Sequence, residues 1–187
     1  MILKQIEYRP SFLSVQEANT IFEYLKENVN WQQNEIKVFG KTYLTPRKTA
    51  WYSKDGKEYS YSNISQEVVP YCEIISSLSD KVEKFSNLDF NSVLLNLYED
   101  GSHKVGWHSD NEKELGDEIN IASISLGVSR DFKYRPIKSH EKVKTLALEH
   151  GSLLLMRHPF QLHSEHCVPQ RKRVVGSRIN LTFRKIV

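Results

Sequence analysis

The residues of this 187-residue chain best equipped for chemistry are His108 and Asp110. They close the stretch Asn96 to Asp110, N-L-Y-E-D-G-S-H-K-V-G-W-H-S-D. In an extended segment, side chains two apart point to one face, so an imidazole nitrogen and a carboxylate oxygen converge there. A second, distant histidine would complete a two-histidine, one-carboxylate set of the kind that holds iron(II) and keeps coordination positions open. H-x-D alone is a common polar turn, so the rest of the chain must supply the context. At its far end Arg178, Asn180, Thr182 and Arg184 alternate with Ile179, Leu181 and Phe183. Turned inward, the polar face carries two guanidiniums that need anions, because a buried charge is costly unless paired. A dicarboxylate would serve, since Arg grips carboxylates through two parallel bonds. Turned outward, the same face is an ordinary wet side of an antiparallel strand. His150, His158, His163 and His166 are the candidates for the third ligand.

These residues need a scaffold. With 39% hydrophobic and 26% charged residues, the chain reads as one soluble globular domain, residues 1–187, large enough for a substantial core. No apolar run reaches membrane-spanning length and the N-terminus lacks a signal-peptide core, which predicts an intracellular protein. Two cysteines, Cys72 and Cys167, give no disulfide framework. A net charge of +3 permits nucleic-acid binding without requiring it. Ser14 and Glu17 form a capping box opening a helix with Ala18, Ile21, Phe22 and Leu25 on one face. Pro70 suits the first turn of a second helix, with Tyr71, Ile74, Ile75, Leu78, Val82 and Phe85 recurring at three and four. Cys72, near its start, reads as a packing residue. Residues 31–64 are aromatic and basic, with short strands and a hairpin signal at Asp55-Gly56. Rings interleaved with cations suit nucleic acid or ordinary cross-strand pairs. Strands are predicted at Val93–Tyr98, Ile119–Leu126, Phe132–Arg135, Lys144–Leu148, Ser152–Met156 and Arg178–Phe183, a pattern for a sandwich or jelly roll.

The order N-x-Y, H-x-D, H, R-x-N-x-T-x-R resembles the AlkB family of Fe(II)/2-oxoglutarate dioxygenases, and within it the homologues that repair alkylated double-stranded DNA. V-F-G-K (Val38 to Lys41), P-R-K (Pro46 to Lys48), Y-S-Y (Tyr59 to Tyr61), R-D-F (Arg130 to Phe132), H-G-S-L-L (His150 to Leu154) and N-L-T-F-R-K-I (Asn180 to Ile186) carry the same resemblance, over roughly residues 35–187. It implies an α+β, mainly β fold: a double-stranded β-helix (jelly roll) over 92–187, two supporting N-terminal helices, and a nucleotide-recognition hairpin region over 31–64.

The resemblance selects His166 as third ligand beside His108 and Asp110, with His163 as runner-up. It assigns 2-oxoglutarate to Arg178 at the distal carboxylate, Arg184 at the near end, and Asn96, Tyr98, Asn180 and Thr182 as hydrogen-bonding groups. With Fe(II) and O2, oxidative decarboxylation to succinate and CO2 would hydroxylate an N-alkyl carbon, and aldehyde would leave the repaired base. The cofactor carries the hard chemistry. A target inside a duplex must leave the stack. The resemblance makes Phe39 the wedge, flanked by Gly40 and Lys41, and counts Arg47 with them among the substrate-binding residues. It places Tyr59 and Tyr61 around the flipped base, where the family has a phenylalanine at the place of Tyr61. Asn111 and Glu112 follow the metal ligands; Glu112 is either a solvated loop acid or a carboxylate that favours a cationic base such as 1-methyladenine or 3-methylcytosine. The basic turn Arg171, Lys172 and Arg173 is either a solvated loop or a phosphate contact. The expected partner is alkylated, double-stranded DNA. The expected protein is a monomer, cytoplasmic in a bacterium or nuclear in a eukaryote. An RNA or protein oxygenase of the same class and a non-catalytic nucleic-acid-binding sandwich are the alternatives.

Overall fold

A computed structural model describes residues 5–38, 41–57, 60–61, 64–65, 67–139 and 142–187. In chain order the elements are β1 (Ile6–Arg9), α1 (Val15–Asn28), β2 (Glu35–Val38), β3 (Lys41–Leu44), β4 (Lys48–Ser53), β5 (Ser60–Tyr61), β6 (Ile64–Ser65), β7 (Val68–Pro70), α2 (Glu73–Ser86), β8 (Ser92–Tyr98), β9 (Val105–His108), β10 (Ile121–Gly127), β11 (Arg130–Pro136), β12 (Lys144–Leu148), β13 (Ser152–Met156), α3 (Phe160–His163), β14 (Ser164–Val168) and β15 (Arg178–Arg184). A seven-stranded sheet runs β1-β13-β10-β15-β8-β4-β7, and a four-stranded sheet runs β12-β11-β14-β9. Together they form the expected jelly roll.

Two apolar layers follow from strand alternation. Ile179, Leu181 and Phe183 join Val93, Leu95 and Leu97 of β8 in a cluster with Ala18, Ile21 and Leu25 of α1 and Ile75, Leu78 and Val82 of α2. Trp51, Leu94, Ile121, Phe132, Tyr134, Leu148 and Met156 form a second cluster. Every residue of β15 is buried, so its polar face is an inner face and not a wet one. Each apolar side chain buried there is worth roughly 1.5–3 kcal/mol. A one-residue slip would exchange three of them for Arg, Asn and Thr, which pins the register.

The first helix starts as the capping box requires, with Ser14 Oγ accepting from the Glu17 amide at 3.2 Å. The second does not start at Pro70. Pro70 ends β7, an edge strand parallel to β4, and Cys72 is the N-cap of α2 without a side-chain capping bond. An edge strand tolerates the missing N–H, and that outcome competes directly with a helix start. Asp55-Gly56 closes no hairpin with β4, because β4 is already flanked by β8 and β7. Gly56 does adopt a positive φ of 73°. Among the described residues the antiparallel pairs of this region are β2–β3, in register Val38↔Lys41, and β5–β6, in register Tyr61↔Ile64. The predicted strands differ at their ends: β8 begins at Ser92, β10 runs from Ile121 to Gly127, β11 from Arg130 to Pro136, and β15 extends to Arg184. β1, β7, β9 and β14 add four that the periodicity did not isolate.

Candidate active site

The site lies on the inner face shared by both sheets. His108 is the last residue of β9, and His166 sits on β14 directly across from it in the ladder. The ring centroids are 4.3 Å apart. Asp110 lies two residues beyond the end of β9. The ligand atoms of His108, Asp110 and His166 all fall within 4.8 Å of one another, close enough to share one metal ion. Of the other candidates, His158 and His163 are exposed, and His150 accepts from the Gly127 amide at 2.8 Å in a turn.

Each of the three side chains presents an atom that could hold a metal. His108 Nδ1 lies 2.9 Å from the Gly106 carbonyl. A carbonyl can only accept, so this nitrogen carries a proton and Nε2 is the ring nitrogen left to face a metal. His166 stacks on Phe132 at 5.1 Å. Burial, and then the nearby His108, push its pKa down to about 3 despite Asp110, which keeps the imidazole neutral. Burial would raise the Asp110 pKa, but the Arg184 guanidinium above all holds it well below the usual carboxylate range. Arg184 Nη2 donates to Asp110 Oδ1 at 2.9 Å. The anion that answers one of the two arginines of β15 is therefore a protein carboxylate.

Arg178 has no such answer. It is 1% exposed. Nη2 donates to Ser125 Oγ at 2.9 Å and the Tyr98 ring lies 5.1 Å from its Cζ, but Nε and Nη1 are buried without a hydrogen-bond partner. Among the described residues no ion pair reaches it. Burial pushes its pKa down, Tyr98 opposes this, and Arg130 adds to it. A buried guanidinium left this way fits an incoming carboxylate. Asn180 donates to Ser123 Oγ at 2.7 Å and to the Ile124 carbonyl at 3.0 Å, and Thr182 donates to Asn180 Oδ1 at 2.9 Å. His108, Asp110, His166, Arg178, Asn180, Thr182 and Arg184 line one cavity together with Asn96, Tyr98, Leu94 and Met156.

The profile of the 2OG-Fe(II) oxygenase superfamily matches residues 5–184. The chain is 39% identical over 181 residues to human DNA oxidative demethylase ALKBH2, covering 91% of this chain and 69% of that protein. It is 37% identical over 187 residues to human alpha-ketoglutarate-dependent dioxygenase alkB homolog 3, covering 95% of this chain and 64% of that protein. The chain belongs to the AlkB family of Fe(II)/2-oxoglutarate-dependent dioxygenases. The structure of OsALKBH1 has the same fold, with a TM-score of 0.69 at 18% identity over 97% of this chain and 98% of that one. The protein is accordingly a dioxygenase that uses Fe(II), 2-oxoglutarate and O2, and the neutral His166, the ionised Asp110 and the unanswered Arg178 suit that AlkB chemistry.

The remaining predicted residues divide. Phe39, Gly40 and Tyr59 lie outside the described residues. Lys41 begins β3 and Tyr61 ends β5. Arg47 is buried in the cavity wall, where Nε donates to Asn96 Oδ1 at 2.7 Å. Asn111 is exposed; Glu112 is partly buried, with Oε2 shielded and lacking a hydrogen-bond partner. Lys172 and Arg173 are exposed, while Arg171 pairs with Asp131. Sequence reasoning missed Gln161, which is 1% exposed and accepts from the Asp110 amide at 3.1 Å. It also missed Ser109, whose Oγ donates to the Ser164 carbonyl at 2.8 Å, and Ser123 and Ser125 on β10. A buried Gln is chemically silent in a linear sequence; only the alternation of Ser123 and Ser125 with Ile124 carried a signal.

Proposed function

We propose that the protein removes alkyl groups from damaged DNA bases by oxidation, acting on a base taken out of the duplex. The observation that carries the oxygenase reading is Arg178, a buried guanidinium without an ion-pair partner among the described residues, in the same cavity as His108, Asp110 and His166. In this reading the two histidines and the aspartate hold Fe(II). Arg178 grips the distal carboxylate of 2-oxoglutarate, and Asn96, Tyr98, Asn180 and Thr182 orient the rest of it. Arg184 keeps Asp110 ionised and lends positive charge to the near end. When bound, iron and 2-oxoglutarate activate O2, yielding succinate and CO2 and hydroxylating an N-alkyl carbon that leaves as aldehyde. The chain's own task is positioning and shielding: Phe132, Leu94, Val168 and Met156 wall the cavity against water.

The substrate reading rests on the DNA oxidative demethylase relatives and on the residues fitted to a flipped base. Residues 31–64 serve nucleotide recognition and 92–187 the iron and 2-oxoglutarate core of a single domain, with β4 shared because it belongs to the large sheet. Phe39, with Gly40 and Lys41, fills the gap in the duplex. Tyr59 and Tyr61 flank the base, and Asn111 and the shielded Glu112 carboxylate face it. Arg47 acts from behind, holding Asn96. Among the described residues no helix is long and apolar enough to cross a membrane. The enzyme works as a monomer inside the cell, in bacterial cytoplasm or a eukaryotic nucleus.

The deciding experiment is turnover of a 3-methylcytosine duplex with Fe(II), ascorbate and 2-oxoglutarate, beside His166→Ala and the same lesion in a single strand. Repair lost in the variant and faster on the duplex is expected. Succinate without repair would move the substrate elsewhere, and neither product would refute the enzyme.

A further inference from the structure

The R-D-F stretch has no part in the site as built so far, yet Arg130 is 2% exposed. Its guanidinium makes no ion pair among the described residues. It binds three backbone carbonyls instead: Nη1 to Asp100 at 3.1 Å, and Nη2 to His103 and Pro169, both at 2.8 Å. Asp100 and His103 belong to the turn between β8, which carries Asn96 and Tyr98, and β9, which ends in His108. Pro169 follows β14, which carries His166. One side chain thus ties together the ends of three strands that bear site residues. The nearest acid on its own strand, Asp131, is engaged by Arg171.

Arg130 also lies against the co-substrate end of the cavity. Its Cζ is 5.7 Å from the Tyr98 ring centroid, and that of Arg178 is 5.1 Å from the same centroid. Both distances are within reach of the ring's electrostatic attraction for cations. One ring is therefore held by two buried guanidiniums of like charge, and neither has an ion-pair partner among the described residues. Such an arrangement is costly alone and is relieved when a dianion enters beside Arg178. Arg130 does not line the cavity but Tyr98 does, so its effect on a ligand must pass through Tyr98.

We infer that Arg130 is a positioning residue for 2-oxoglutarate, holding Tyr98 beside Arg178. This rests on the oxygenase reading of the cavity. The test is calorimetric titration of 2-oxoglutarate into the Mn(II)-loaded protein, followed by succinate kinetics with Fe(II). Arg130→Met is expected to weaken 2-oxoglutarate binding about ten-fold, the low end of what losing an outer-shell partner does. KM should rise in proportion while kcat at saturation and Mn(II) affinity hold. An unchanged dissociation constant overturns the inference. In a Tyr98→Leu background Arg130→Met should add nothing further; a full additional ten-fold would mean that Arg130 does not act through that ring. Should Arg130→Met fail to fold, Arg130→Lys keeps a buried cation while losing the three-carbonyl grip. It is expected to weaken binding in the same direction, and parental affinity would equally overturn the inference. A parent protein that takes up no 2-oxoglutarate would overturn the oxygenase reading itself, an outcome distinct from a parent and variants that bind alike.

Discussion

Replacing Arg178 with Met separates a residue kept for stability from one kept for a ligand. In the ligand-free protein the guanidinium has one hydrogen bond to Ser125 and a place against Tyr98. These are worth roughly 1.5–3 kcal/mol and about 1–2 kcal/mol. Against them stands the desolvation of a fully buried charge, several kcal/mol after relaxation. The two sides nearly cancel, so Arg178→Met should leave the melting temperature of the free protein unchanged or raised. Ligand binding behaves differently. At a 2-oxoglutarate concentration one hundred times its dissociation constant, binding stabilises the parent by about 2.7 kcal/mol. At 2–4 °C per kcal/mol for a chain of this size, that is a rise of roughly 5–11 °C. Removing one member of a desolvated charge pair costs 2–5 kcal/mol of binding. A hundred-fold loss brings the same ligand concentration down to about the dissociation constant, leaving about 0.4 kcal/mol and a shift of about 1 °C. The assay is a thermal melt with Mn(II), with and without 2-oxoglutarate. A variant that melts several degrees lower when free yet keeps the full ligand shift would refute the argument, because Arg178 would then be a structural cation with an unseen partner.

Four further outcomes are expected. Gln161→Met leaves the buried Asp110 amide without its acceptor, at a cost of roughly 1–3 kcal/mol, and should weaken Co(II) binding about ten-fold; unaltered Co(II) affinity would count against a positioning role. Glu112→Ala should abolish turnover of cationic methylated bases while metal binding persists, and undiminished repair would remove Glu112 from the base pocket. Phe39→Ala should slow duplex repair more than single-strand repair, whereas equal losses would make Phe39 merely structural. The metal-free protein should lose stability on acidification. The folded-state pKa values of His166 and Asp110 are both depressed, so the unfolded chain binds the extra protons. The His166 contribution is complete above pH 6.5 and fades as pH falls toward about 3, and that of Asp110 fades below about 3.8. Denaturant titrations that gave equal stability at pH 7 and pH 4.5 would contradict this.

Local pattern determined much of this protein. The S-x-x-E cap, the two-residue spacing of H-x-D and the alternation from Arg178 to Arg184 are facts about periods of two and 3.6. They hold wherever a strand or helix forms, and the order of the motifs along the chain carried the family. What the periods do not contain is which strand lies beside which. The choice of His166 over His163 became geometry only when β14 paired with β9 and set His166 opposite His108. The two arginines of β15 look equivalent in sequence, yet one meets Asp110 and the other meets none of the described acids, because Asp110 reaches one end of the strand alone. Pro70 fits a helix start and an edge strand equally well by local rules, and the vacant edge of β4 decided for the strand. Gln161 and Arg130 act through backbone carbonyls and amides contributed by distant segments. Those contacts are selected by long-range register and burial, and so they exist only once the two sheets have closed on each other.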